Sequence, residues 1–450
     1  MQVGVIGGGI TGLSAALELR SRGAQVTLFE ASERVGGVIT TIRRDGFLVE
    51  AGPTSLTTTP ALEGLIDRLG LESRRLAPTA AAKRRYIVRG GAPVPLPDGP
   101  GSLLSTKALS ASAKLRLLRE PFVTAVRGGD DESVASLVRR RMGDEVLTYL
   151  VNPFVAGIYA GDPERLSARH AMPLLWHAER RHGSLIFGGM KEARARAGVV
   201  RRKGITSFTD GLATLPEAMA AALGDRVKLR TRVRSVAREG DGWRIHAEQG
   251  GLAADQYVDA VVYSGPAHAI ESLGFPAEAR AALAPASRLR HPPISTLALG
   301  FAREAVAHPL DGFGVLCPEV EQRTVLGVLF SSSVFAGRAP SGQVLVTCFI
   351  GGERSPDLGR APLDQLLPAV LRDLEGLLGV SAPPTFVHHQ QWPMAIPQYE
   401  LGHEAVEQAA SRVESTFPGL YLTGQWRAGV ALGECIAQGQ ATAARVIAER

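Results

Sequence analysis

The stretch Val3-Gly4-Val5-Ile6-Gly7-Gly8-Gly9-Ile10-Thr11-Gly12-Leu13-Ser14-Ala15-Ala16-Leu17-Glu18-Leu19 carries the decisive reading. Residues 3–6 are an apolar run that predicts a strand. Residues 13–19, after the glycines, predict a helix. A second apolar stretch, residues 25–29, ends on Glu30, 18 residues past Gly12. Strand, glycine turn, helix, strand and acid is the order of a dinucleotide-binding βαβ unit. Gly7 permits the tight turn, Gly9 has no side chain to hold a pyrophosphate off the backbone, and Gly12 lets the helix pack closely on the sheet. The helix N-terminus offers free N–H groups and partial positive charge to phosphates, and Glu30 can accept hydrogen bonds from a ribose. Glycine-rich turns are common, so the argument rests on the whole arrangement.

Working outward, Glu30-Ala31-Ser32-Glu33-Arg34-Val35-Gly36-Gly37 extends the unit with a basic residue and a glycine pair, which a nicotinamide enzyme does not need. At the other end, Gly419-Leu420-Tyr421-Leu422-Thr423-Gly424 reads as a strand ending in a glycine turn. Gly429-Val430-Ala431-Leu432-Gly433-Glu434-Cys435-Ile436 then opens an Ala-rich helix. Four more stretches stand out: Glu50-Ala51-Gly52-Pro53-Thr54-Ser55, the run from Asn152 through Gly157-Ile158-Tyr159-Ala160-Gly161 to Pro163, Gly327-Val328-Leu329-Phe330-Ser331-Ser332, and Gln391-Trp392-Pro393 through Ile396-Pro397-Gln398-Tyr399.

On these stretches the chain resembles, over essentially its whole length, the oxygen-dependent protoporphyrinogen oxidases of the FAD-dependent amine oxidase superfamily. The resemblance implies an α/β fold: a Rossmann-like FAD-binding domain, a mixed-sheet substrate domain and a helical, membrane-associating insertion. The corresponding ranges are 1–80, 204–280 and 392–450 for FAD, 81–92 and 281–391 for substrate, and 93–203 for the insertion. FAD, held non-covalently, is expected to touch Gly7, Gly9, Ile10, Thr11, Gly12, Glu30, Arg34, Gly36 and Gly37. Gly52, Pro53, Thr54 and Ser55 should line its ring, Val233 should set its backbone at the adenine, and Trp392, Gln425, Val430, Ala431 and Leu432 should close the site.

The resemblance also implies a substrate, protoporphyrinogen IX, oxidised by hydride loss to flavin N5 with O2 as acceptor and H2O2 as product. No catalytic acid or base is nominated, because the pyrrole nitrogens push the electrons. Arg85 matches an arginine that pairs with a propionate, an interaction suited to its planar fork; Arg84 is a close rival in register. Leu316, Leu329 and Phe349 match side chains that hold the macrocycle, although plain core packing would explain them equally. Gly157 matches a glycine that lets the macrocycle approach. A coproporphyrinogen III oxidase uses the same chemistry and is the nearest alternative. More distant ones are a flavin amine oxidase, disfavoured because the last Lys is Lys228, and a non-catalytic porphyrin or flavin carrier.

Composition narrows the rest. The 450 residues suffice for two or three domains, and 45% hydrophobic with 21% charged is ordinary for a globular chain. The net charge of +6 includes clusters at Arg139-Arg140-Arg141, Arg180-Arg181 and Arg201-Arg202-Lys203. These read either as solvated helix faces or as a surface for anionic lipid or substrate. Cys317, Cys348 and Cys435 form no disulfide or metal spacing, which fits a reducing cytoplasm. His388-His389 reads as a strand-end pair, and no metal is expected. No signal peptide and no apolar run of roughly 18 residues is visible, so any contact with the inner face of the cell membrane is peripheral. No nucleic-acid partner is expected, and a homodimer is left open.

Overall fold

The structure, a computed structural model, describes residues 1–97, 102, 105–126, 128–196, 204–427 and 429–449. β1 (Gln2–Ile6) pairs in parallel with β2 (Gln25–Phe29) on one side and with the strand Ala260–Tyr263 on the other. Val227–Lys228 extends the sheet beyond β2, and Leu420–Leu422 extends it beyond Ala260–Tyr263, again in parallel. Parallel strands need both faces covered. The helix α1 (Ile10–Ser21) covers one face, and the last helix, Leu432–Ala448, crosses α1 at Gly439. A Cβ at Gly439 would collide with the Thr11 carbonyl oxygen, so the two helices touch backbone to backbone. Val3, Val5, Leu13, Leu28, Val262 and Ile436 are fully buried in one cluster, so both ends of the chain share one core.

A second, seven-stranded sheet runs in the order Phe386–Trp392, Ile294–Ala302, Gln343–Gly351, Val325–Leu329, Gly314–Leu316, Tyr86–Arg89, Ala92–Pro95. It is mixed: Gly314–Leu316 and Tyr86–Arg89 run parallel, and the other neighbours are antiparallel. The amphipathic helix Leu363–Leu378 covers one face with Leu366, Val370, Leu374 and Leu377. The α/β class, the Rossmann-like sheet and the mixed sheet are as expected.

Between the sheets in sequence lie the helices Ala111–Arg119, Val134–Met142, Asn152–Tyr159, Pro173–His182 and Leu185–Arg196. Among the described residues, no helix is long and apolar enough to cross a membrane. At the heart of this helical region sits a buried ion network. The fully buried Arg141 donates to the Glu120 carboxylate and to the carbonyls of Val123 and Gly183. Glu120 also accepts from the Ser184 hydroxyl and from the N–H groups of Leu185 and Ile186.

Several local expectations are corrected. Residues 80–89 are not one strand: a 3-10 turn, Ala80–Lys83, precedes the strand Tyr86–Arg89. Residues 227–237 break at Arg230, whose φ of 52° is left-handed, and the two halves join different sheets. Residues 256–263 break at Asp259, and there too the two halves join different sheets. His388 and His389 lie in the middle of Phe386–Trp392 rather than at a strand end. The boundary expected over residues 93–101 starts inside the strand Ala92–Pro95, and residues 98–101 lie outside the described residues, as do Arg201, Arg202 and Lys203.

Candidate flavin site and substrate cavity

The glycine turn has the geometry its sequence promises. Gly7 has a φ of +107°, and a Cβ there would press on the Ser264 hydroxyl at 2.9 Å. A Cβ at Gly12 would strike the Gly7 carbonyl oxygen and the Ser264 hydroxyl. A Cβ at Gly9 would meet nothing within 4 Å, so open ground lies before the helix. Gly9 is the N-cap of α1 and no side chain caps it, which leaves the first-turn N–H groups of Ile10, Thr11 and Gly12 to an outside acceptor. Glu30 at the end of β2 accepts from the Gly8 N–H (2.7 Å) and the Ser32 N–H (2.7 Å). Each carboxylate oxygen retains a second lone pair for a ribose hydroxyl.

The second stretch folds back on this turn, with the Gly36 N–H donating to the Gly8 carbonyl (2.8 Å). Gly36 and Gly37 have φ of 102° and 58°, conformations open to glycine. Arg34 turns inward on its own loop. Its guanidinium donates to the carbonyls of Val35, Gly37 and Ile39 and to the Thr40 hydroxyl, so it clamps the loop rather than projecting as a free cation. Val233 sits at a bulge in Thr231–Glu239, a strand tied to the acid by the Thr231 N–H donating to the Glu30 carbonyl (2.8 Å). An unblocked helix N-terminus, a gap at Gly9 and an acid at the edge fit an FAD diphosphate and ribose.

Beyond them opens a cavity of about 270 Å³. It brings together Gly52, Pro53, Thr54, Ser55, Gly157, Phe349, Trp392, Gln425, Val430, Ala431 and Leu432, eleven positions predicted from five separate parts of the chain. Hydrogen bonds fix its walls: the Trp392 indole N–H donates to the Ala51 carbonyl (3.0 Å), Gln425 Nε2 to the Val430 carbonyl (3.1 Å), and the Tyr399 hydroxyl to the Gln425 carbonyl. The last helix begins at the cavity, and no side chain caps its N-terminus. Sequence reasoning missed Val38, Ile294, Thr296 and Leu326, whose apolar or small side chains look like ordinary strand and loop residues until the two sheets meet.

Among the described residues, no titratable side chain lines this cavity. Cys435, on the last helix, is buried, and burial pushes its thiol up to about 11, which makes it a packing residue. Leu329 lies in an adjoining cleft that shares Thr54 and Ser55 with the cavity, and Leu316 touches its rim, 3.2 Å from where a Cβ on Gly157 would lie. The adjoining cleft also holds Glu50. Burial raises its carboxyl above the usual range, although Thr41 (2.7 Å) and the Leu212 N–H (2.9 Å) donate to it.

Arg85 does not line the main cavity. It borders a wide groove next to the cleft, the two sharing Phe313, and its guanidinium lies over the Phe313 ring at 5.5 Å. The structure separates it from its rival: Arg84 is paired with Asp311, which also accepts from the Tyr86 hydroxyl. Lys83, Arg85 and Lys107 border the same groove, and none has a carboxylate partner among the described residues.

Comparison with known proteins agrees with this geometry. The flavin containing amine oxidoreductase family matches residues 10–447, and the chain belongs to that family. A chloroplastic/mitochondrial protoporphyrinogen oxidase 2 of Arabidopsis thaliana is 35% identical, with 99% of this chain and 94% of that protein covered. The coproporphyrinogen III oxidase of Bacillus subtilis (strain 168) is 29% identical, over 97% of this chain and 96% of that protein. A crystal structure from Exiguobacterium sp. 255-15, provisionally named a protoporphyrinogen oxidase, superposes with a TM-score of 0.84 at 26% identity, covering 100% of this chain and 99% of that one. Within the family the chain thus stands with the protoporphyrinogen oxidases. It is an FAD-dependent oxidoreductase.

Proposed function

We propose that the chain oxidises a porphyrinogen to the aromatic porphyrin in tetrapyrrole biosynthesis, with protoporphyrinogen IX as substrate and O2 as acceptor, giving H2O2. The observation that carries this reading is the ring cavity: eleven predicted positions around apolar walls, with no titratable group among the described residues. Such a site can position and desolvate but cannot shuttle protons. That suits a substrate whose pyrrole nitrogens supply the electron push and release the proton themselves. Bound FAD, held non-covalently, supplies the hydride acceptor.

The chain's own residues do the rest. Leu316, Leu329 and Phe349 hold the macrocycle against the ring position, and Gly157 gives it room. Arg85, with no carboxylate partner among the described residues, takes a propionate. Gly7, Gly9, Ile10, Thr11 and Gly12 hold the diphosphate, Glu30 the ribose, Val233 the adenine edge, and Arg34 stiffens the loop that carries Gly36 and Gly37. The ranges 1–80, 204–280 and 392–450 act as the FAD unit and 81–92 with 281–391 as the substrate unit. The helical range 93–203 docks peripherally on the cytoplasmic face of a membrane. Support for that docking comes from exposed Leu118, Phe122, Leu174 and Phe187 beside arginine-rich helices.

A second reading, coproporphyrinogen III as substrate, is favoured by the near-complete coverage of the B. subtilis enzyme. One experiment tests both. Purified protein is mixed anaerobically with each porphyrinogen while flavin absorbance is followed, and air is then admitted. Bleaching by protoporphyrinogen IX, reversed by air with porphyrin fluorescence and peroxide, is expected. Bleaching by coproporphyrinogen alone moves the assignment to the second reading, and bleaching by neither overturns both.

A further inference from the structure

His170, His403 and Glu407 meet where the helical region joins the segment leading back to the flavin cavity. Backbone bonds make the joint: the Ser167 N–H donates to the Tyr399 carbonyl (2.8 Å), and the Leu401 N–H to the Arg165 carbonyl (2.9 Å). Beside it, one nitrogen from each imidazole and one Glu407 carboxylate oxygen lie within 4.8 Å of one another. His170 Nδ1 stands 3.4 Å from Glu407 Oε1. That is about the edge of a tetrahedron built on metal–ligand bonds of roughly 2.0–2.2 Å.

Unmatched ring atoms strengthen the case. His403 is only 3% exposed, yet neither of its ring nitrogens makes a well-formed hydrogen bond among the described residues, and the backbone of Arg427 is the one weak partner near them. His170 Nε2 is buried without a hydrogen bond as well. A neutral imidazole carries one N–H and one lone pair, and burying both unmatched is costly. The Tyr399 ring stacks on His403 with centroids 4.2 Å apart, which shields one side. Glu407 is 42% exposed and leaves an entry path. An ion pair between protonated His170 and Glu407 would satisfy one ring atom of His170, and the Arg427 backbone can serve only one nitrogen of His403, so its other nitrogen stays buried and unmatched. Two imidazoles and a carboxylate are a donor set suited to borderline divalent ions, with a fourth position for water.

We propose that His170, His403 and Glu407 bind a divalent transition ion of the zinc type, which clamps the helical region to the C-terminal segment. Its position is structural: the stacked Tyr399 hydroxyl holds the Gln425 carbonyl at the cavity wall.

The test uses chelator-dialysed, FAD-loaded full chain without an affinity tag, titrated with Co2+ alone and with Zn2+ alone. One equivalent of Co2+ should bind, with visible ligand-field bands that Zn2+ displaces, and Zn2+ should raise the melting midpoint. Glu407→Gln and His170→Gln should each lower the affinity by roughly tenfold or more and abolish the bands, with FAD content unchanged. No stoichiometric step in the parent protein, or equal binding in both variants, overturns the site. If His170→Gln does not fold, Glu407→Gln, at a half-exposed position, decides alone.

Discussion

The sheet made from the two chain ends and the helical region between them are held together in opposite ways. The sheet is an apolar core in which the polar features, the N-termini of α1 and of the last helix, are left uncapped at one edge. The helical region wraps its apolar residues around a buried charge network: Arg141 on Glu120, and Arg140 on Glu179 and Glu132. The first arrangement keeps donors available for a ligand. The second spends the donors of Arg140 and Arg141 internally and fixes the angles between helices. Cofactor binding belongs to the edge with unmet hydrogen-bonding capacity; the buried charge network positions helices instead.

The sharpest way to break the first half of that contrast is Gly12→Val. The added carbon strikes the Gly7 carbonyl oxygen and the Ser264 hydroxyl, so the turn cannot close. Loss of bound FAD, read from the 450 nm region of the purified protein, is the expected outcome. Retention of FAD would mean that the diphosphate is held elsewhere.

The second half breaks at Glu120→Gln. It removes the nearer of the two carboxylate charges facing the buried Arg141, the other being Glu179 at 3.5 Å, while keeping the shape. Breaking a buried pair on one side costs about 3–5 kcal/mol. Chemical denaturation should show a loss of that order, whereas removing Arg234 from its exposed pair with Glu248 should cost at most about 1 kcal/mol. Equal losses would show the network to be ornamental.

Arg85→Ala tests the groove. A lost charged hydrogen bond is worth about 1.5–3 kcal/mol, roughly a tenfold to hundredfold rise in KM for the porphyrinogen, with FAD content unchanged. Arg84→Ala should act on stability instead, because its partner Asp311 belongs to the protein. A reversed pattern would exchange their roles.

The smallest effect is a difference in acid sensitivity. Burial pushes His268, His291, His308, His388 and His389, all in or beside the sheets, below the ordinary histidine value. The unfolded chain therefore takes up protons first, and this stability, complete above about pH 6.5, is lost as the pH falls through the lower folded values. Glu50 works the other way: its raised value favours the folded state as the pH falls, but it is one group against five. In the helical region, burial alone would raise Glu179, yet its bonds to Arg140 hold it below the usual carboxylate range. Its contribution survives until the pH drops below about 4.3. Hydrogen exchange at pH 7 and pH 5.5 should show the sheets loosening first. Parallel loosening of both regions would refute the assignment.

How far the sequence could be read differs between these regions for a physical reason. Glycine turns, caps and short apolar strands are local, and local sterics impose a pattern on neighbouring residues. The turn at Gly7, the acid at Glu30 and the opening of the last helix could therefore be recognised directly. Breaks at Arg230 and Asp259 were not legible, because each half-strand is apolar enough to continue and only its distant partner decides where it goes. Arg84 and Arg85 looked alike in the chain; Asp311, more than two hundred residues away, separates them. Among the arginines of 139–141, Arg141 read as part of a solvated face or of a surface for anionic lipid or substrate and is instead fully buried, because Glu120 and the Gly183 carbonyl meet it inside.

The order of residues alone dictated the dinucleotide turn, since that follows from backbone sterics and from groups that act within a few residues; the joining of both ends in one cofactor unit and the class of chemistry came through the resemblance that several such local stretches carry. The three-dimensional arrangement alone decided that, among the described residues, the ring cavity holds no titratable group and Arg85 rather than Arg84 lacks a carboxylate partner, and that two histidines and a glutamate meet at the joint. Those outcomes depend on which distant side chains are carried into contact, and desolvation and pairing energies act only at contact.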